Sequence, residues 1–196
     1  PNAVAMALDD GAVAVVAPYI EQVEQVRALV GASKLRPLKG ERVARLLAGE
    51  DTLEEPLANY IEKGTAGNTL VVNIESTPAI ANLDAILEVE GLDAVLIGPH
   101  DLSCSVGVPE QYSDPKFLKA VETILTKARA AGVGAGIHFW GTMDEQVRFI
   151  EMGANLFIHK ADAIFFKESL SRDLSEIRSR IGLAVSDKDT TDAVNI

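Results

Sequence analysis

The chain has 196 residues, 47% of them hydrophobic, enough to bury the core of one domain of ordinary size. Its formal net charge of −11 and isoelectric point near 4.7 argue against a nucleic-acid binder, which needs a basic stripe, and against an anionic membrane surface as partner. A single cysteine, Cys104, leaves no internal disulfide and no multi-cysteine zinc site, and it suits a reducing compartment.

Residues 2–10 read as a helix with Val4, Ala7 and Leu8 on one face and Gly11 placed to stop it. Val13 to Ala17 is an apolar strand closed by Pro18, and Glu21 to Val30 follows as a helix. A loop with Pro37 and Gly40 leads to two shorter helical patches, around 41–48 and 53–63. From Leu70 the alternation is clean. Strand Leu70–Ile74 precedes a helix with Thr77 as N-cap and Pro78 in its first turn, running to Gly91. Strand Ala94–Ile97 comes next. A helix opening at Asp114 and Pro115 buries Phe117, Val121, Ile124, Leu125 and Ala128. Strand Val133–Phe139 is followed by Thr142 and Glu145 in capping-box spacing, and by a helix using Met143, Val147 and Ile150 up to Gly153. Leu156–Ile158 is a short strand. Phe166, Leu170, Leu174, Ile177 and Ile181 stripe a closing helix, and the tail 183–196 has no core-forming pattern.

Five strand–helix units behind an orphan helix predict an α/β fold with a parallel sheet covered by helices. No glycine-rich dinucleotide turn follows any strand, and acids stand at two strand ends. Both features favour a TIM (β/α)8 barrel over an open sheet. Such a barrel has eight strands, so this chain reads as its last five βα units. Residues 1–182 would be the C-terminal part of one barrel domain. No apolar run has the length of a membrane span, and residues 1–20 lack a basic start followed by an apolar core and cleavage site. The expected location is the cytoplasm.

The two acids are Glu75, after Asn73-Ile74, and Asp101, in Gly98-Pro99-His100-Asp101-Leu102-Ser103. A carboxylate ending a hydrophobic strand is a poor core residue, because burying an unpaired charge is costly. Two of them on neighbouring parallel strands would share one mouth and could hold a metal ion. Alternatively, Glu75 favours the start of the next helix electrostatically and Asp101 caps a turn. Cys104 reads as a small half-buried filler. His100 and His138 read as mouth-lining or rim residues, and Lys160 raises a Schiff-base mechanism that would not require the acid pair.

These segments resemble the HpcH/HpaI aldolases, the metal-dependent pyruvate aldolases. The resemblance runs through Ala7-Leu8-Asp9-Asp10-Gly11-Ala12, Val16-Ala17-Pro18-Tyr19, Ile74-Glu75, Asn82-Leu83, the run from Val89 to Pro99, Asp101-Leu102-Ser103, Glu151-Met152-Gly153 and Asp162. It implies a divalent cation, Mg2+ or Mn2+ and in some members Co2+, held by Glu75 and Asp101. It also implies that Asn73 and Gly98-Pro99-His100 line the substrate mouth, with backbone amides near His100 receiving the pyruvate carboxylate. The implied reaction cleaves a 4-hydroxy-2-oxo acid to pyruvate and an aldehyde, in a homo-oligomer, usually a hexamer. The alternatives are a citrate lyase β-subunit or malyl-CoA lyase type of enzyme acting on acyl-CoA, and a non-catalytic truncated barrel subunit. The family's general-base histidine and its arginine would precede Pro1, so the catalytic residues are unknown here. One loop departs from the family pattern: Gly40-Glu41-Arg42-Val43-Ala44 stands where Gly-x-Arg-Gly is usual.

Overall fold

The computed structural model describes residues 1–183. They fall into two units, one spanning Pro1–Ile158 and a second beginning at His159. The first unit opens with α1 (Asn2–Asp9), β1 (Ala14–Ala17), α2 (Val23–Lys34), α3 (Glu41–Leu47) and α4 (Glu55–Thr65). It continues with β2 (Thr69–Asn73), α5 (Thr77–Ala81), α6 (Leu83–Leu87), β3 (Ala94–Ile97) and α7 (Pro99–Ser105). The last elements are α8 (Pro115–Ala130), β4 (Gly134–Phe139), α9 (Met143–Glu151) and β5 (Leu156–His159), and the second unit is built on α10 (Asp162–Arg180).

The five strands lie side by side in chain order, and β1/β2, β2/β3 and β3/β4 pair in parallel. The expected α/β architecture is therefore present as a five-stranded parallel half-barrel. Side chains alternate between its faces. Leu70, Val72, Val95, Ile97, Ala135, Ile137 and Phe139 point outward into the main core beneath the helices. Val71, Ala94 and Leu96 form a separate small cluster on the inner face, with Leu156 packed against it.

Helix α8 shows how sequence sets the outer layer. Asp114 caps it by accepting from the Lys116 amide at 2.7 Å, and Pro115 occupies the first turn. Phe117, Val121, Ile124, Leu125 and Ala128 are buried. Each large apolar side chain so buried contributes roughly 1.5–3 kcal/mol. At the N-terminal end of the strands, Lys34 Nζ donates to Asp93 Oδ2 at 2.6 Å, and that oxygen also accepts from the Leu70 amide at 2.6 Å. This staple ties α2 to β2 and β3 at the end opposite the two acids.

Several local expectations are corrected. Ser76, not Thr77, caps α5, accepting from the Ala79 amide at 3.3 Å. The expected helix from Thr77 to Gly91 is two short ones broken at Asn82, whose side-chain amide donates instead to the Glu21 carbonyl at 2.8 Å. Asp101 lies in α7, which the turn reading did not anticipate. Helix α9 buries Gln146 and Phe149, leaving Met143, Val147 and Ile150 exposed. Phe149 wins because its ring meets Phe139 and Phe117 edge-on, at centroid distances of 5.0 and 6.4 Å. Cys104 is exposed rather than half-buried. The tail expected over 183–196 lies outside the described residues beyond Leu183.

Candidate active site

Strand register places the site. Asn73 is level with Leu96 on β3, and Leu96 with Gly136 on β4. Two residues further along each strand, the same inner-face row carries Glu75, Gly98 and His138. The pairing extends past the end of β2, because the Ile74 amide still donates to the Leu96 carbonyl at 2.9 Å. Ile74 points into the outer core, so alternation turns Glu75 inward at the C-terminal mouth.

Glu75 is 6% exposed, the one carboxylate buried among the described residues. Its Oε1 accepts from the Tyr19 amide at 2.9 Å, and its Oε2 from Asn73 Nδ2 at 3.0 Å. Both donors are neutral, and no basic side chain forms an ion pair with Glu75 among the described residues. The same side of the site holds a second open valence: Asn73 Oδ1 is buried without a hydrogen-bond partner. The amide cannot be flipped to relieve it, since that would set Oδ1 against Oε2 of a group that only accepts.

Gly98 presses against this carboxylate. A Cβ built on it would lie 2.4 Å from Glu75 Oε2, so only glycine leaves room for the side chain in its present position. Pro99 is buried at the first position of α7, while His100 and Asp101 are exposed in its first turn. Asp101 is three residues beyond Gly98, about 5 Å along a helix. His100 Nδ1 lies 3.4 Å from Glu110 Oε1, and its carbonyl accepts from Ser103 Oγ at 2.7 Å. Nearby, burial first and then the Glu110 and Cys104 charges push the Tyr112 hydroxyl above its ordinary range, keeping it protonated.

Among the described residues no group of three or more His, Cys, Asp or Glu side chains is arranged to hold a metal ion. Glu75 and Asp101 are the candidate protein ligands for a cation, with water and substrate to complete the set. An all-oxygen set of this kind suits a hard divalent cation that retains exchangeable positions. The buried Glu75 carboxylate, without a basic partner, and the orphaned Asn73 oxygen fit such an ion. Lys160 Nζ is engaged by both Glu168 oxygens at 2.6 and 2.7 Å within the second unit, which weakens its candidacy as a Schiff-base amine. Arg42, in the first turn of α3 where the sequence departs from the family pattern, bonds Glu54 Oε2 at 2.5 Å. The Glu54 carboxyl is held below its usual range by a backbone hydrogen bond and then by Arg42.

The residues missing from the sequence reading are Tyr19 as a main-chain donor, and Glu21 and Ser76, joined by a 2.6 Å hydrogen bond beside Glu75. The Pro18-Tyr19 pair was visible, but nothing in it announced the backbone conformation that aims the amide.

The family model for HpcH/HpaI aldolase/citrate lyase matches residues 2–162. The chain belongs to that family. A 2-keto-3-deoxy-L-rhamnonate aldolase of Salmonella paratyphi B is 34% identical over 172 residues, 88% of this chain. The chain spans 64% of that relative's length, less than two thirds. Two solved structures share the fold. An HpcH/HpaI aldolase from Desulfitobacterium hafniense has a TM-score of 0.73 at 24% identity, covering 89% of this chain and 67% of its own. An HpcH/HpaI aldolase/citrate lyase family protein from Burkholderia cenocepacia has a TM-score of 0.73 at 23% identity, with 89% and 68% covered. Among the described residues no helix is long and apolar enough to cross a membrane.

Proposed function

We propose that residues 1–182 are the C-terminal five βα units of a (β/α)8 barrel, in a class II aldolase that reversibly cleaves a 4-hydroxy-2-oxo acid to pyruvate and an aldehyde. The observation that carries this reading is Glu75: a carboxylate buried just past the end of β2, held by two neutral donors and paired with no basic side chain among the described residues. The name of the Salmonella relative, a 2-keto-3-deoxy-L-rhamnonate aldolase, supports the same reaction class.

Glu75 and Asp101 would hold the divalent ion, with Mg2+ or Mn2+ as the first candidates and Co2+ as a third. When bound, the ion supplies a Lewis acid for the negative charge that develops at a 2-oxo acid's keto oxygen. Asn73 Oδ1 offers an acceptor for a substrate or water hydroxyl. The amides around Gly98-Pro99-His100 would receive the carboxylate. A homo-oligomer, hexameric by resemblance, is part of the proposal. It is supported by the exposed stripe Phe166, Leu170, Leu174, Ile177 and Ile181 on α10, an apolar face that association would cover. The lone Cys104 is consistent with residence in the cytoplasm.

The test is turnover by the full-length protein with pyruvate and a panel of hydroxyaldehydes, with and without Mg2+, Mn2+ or Co2+. Cation-stimulated aldol addition is expected. Glu75→Gln and Asp101→Asn should each lower kcat by at least about 100-fold, more than the loss of an outer-shell partner would cause. Undiminished turnover in the double variant would remove the site assignment. Activity only with acetyl-CoA and glyoxylate would move the protein to the acyl-CoA branch of the family.

A further inference from the structure

Glu75 is oriented by a turn 56 residues away in sequence, between β1 and α2. At its centre Tyr19 has φ of 59°, in the left-handed region that a non-glycine residue enters only when its surroundings impose it. Tyr19 is 73% exposed, so side-chain packing does not impose the conformation. Hydrogen bonds do. The amides of Glu21 and Gln22 both donate to Gln25 Oε1, at 2.8 and 2.9 Å, and Gln25 Nε2 reaches back to the Tyr19 carbonyl at 3.4 Å. From the other side, Ser76 Oγ donates to Glu21 Oε1 at 2.6 Å and Asn82 Nδ2 to the Glu21 carbonyl at 2.8 Å. The turn is thus fastened to the residue next to Glu75, and its strained member aims an N–H at Glu75 Oε1.

We infer that the Tyr19 main-chain N–H, kept in place by Gln25, is a positioning group that fixes the Glu75 carboxylate for cation binding. Together with Asn73 on Oε2, it puts one hydrogen bond on each carboxylate oxygen. That sets the carboxylate plane and leaves the remaining lone pairs for the ion. The required part of Tyr19 is its amide, not its ring. Gln25, which ends six residues from Tyr19 and touches no reacting group, acts only through the turn. This rests on Glu75 being a cation ligand, as proposed above.

The experiment is Mn2+ titration of the full-length protein, read by the electron spin resonance of free Mn2+, beside thermal melting and the amide spectrum of the cation-free protein. Gln25→Leu is expected to lose about 10-fold or more in Mn2+ affinity, the usual consequence of removing an outer-shell support. Tyr19→Gly is expected to bind Mn2+ as the wild type does, because glycine supplies the same N–H and adopts positive φ freely. Wild-type affinity in a Gln25→Leu protein of lowered melting temperature would make the turn merely structural and overturn the inference. So would a 10-fold loss in Tyr19→Gly, which would assign the role to the ring. Glu75→Gln separates the two claims. If it leaves Mn2+ affinity unchanged, the ligand reading fails, whereas the positioning contact is judged by the Tyr19 amide resonance. That resonance should be exchange-protected and should shift on Glu75→Gln; an unprotected, unshifted Tyr19 amide overturns the inference even where Gln25→Leu does not fold.

Discussion

Glu75 keeps its place because four groups agree on it: the Tyr19 and Asn73 donors, the apolar register that turns it inward, and the missing side chain of Gly98. The last of these makes the sharpest single-residue prediction. In Gly98→Ala the new methyl would stand 2.4 Å from Oε2 and 3.3 Å from Glu75 Cβ, so Glu75 must rotate and release both donors. Overpacking of this kind costs about 1–3 kcal/mol, and Mn2+ affinity should fall with it. Gly64→Ala in α4, where nothing lies within 4 Å of the added Cβ, should instead raise stability by up to about 1 kcal/mol. Urea unfolding of the two variants measures the contrast. Equal effects would mean that Gly98 is not shaped around the carboxylate.

Among the elements, the strands were the most legible in sequence, because near-continuous apolar runs such as Leu70–Ile74 and Ala94–Ile97 admit few other fates. The capped helix α8 was equally plain. Helix α9 was not, because Met143, Val147, Ile150 and Phe149 offer two apolar faces and periodicity cannot choose between them. The choice is made in three dimensions, by the rings of Phe117 and Phe139 that receive Phe149. Phe149→Ala should accordingly cost about 3–5 kcal/mol, while Val147→Ala, at a residue 50% exposed, should stay within about 0.5 kcal/mol. Denaturant midpoints decide it, and a reversed order would return α9 to the face expected from its sequence. The break at Asn82 and the left-handed turn at Tyr19 were hidden for a related reason. Both depend on partners distant in sequence, Glu21 for Asn82, and Ser76 and Asn82 for the turn that carries Tyr19. Glu75 was legible as a marked position because a carboxylate is so poorly suited to the end of an apolar strand; the donors that hold it are main chain and side-chain amide, which sequence patterns do not mark.

At the scale of the molecule, a five-stranded parallel sheet lays one inner-face row, Glu75, Gly98 and His138, across the C-terminal ends of three adjacent strands, while the Lys34–Asp93 staple secures the other end. The division follows the general separation of chemistry and stability between the two ends of parallel barrels. A formal charge of −11 adds a long-range field that draws cations toward the molecule and is weakened by salt. Within the second unit, α10 has no buried residue and carries an exposed apolar stripe. The most direct measurement is anomalous diffraction at the manganese edge from crystals of the full-length protein grown with Mn2+ and pyruvate. The expected result is a peak within about 2.5 Å of carboxylate oxygens from both Glu75 and Asp101; an ion bound elsewhere, with neither carboxylate in its coordination shell, would contradict the assignment.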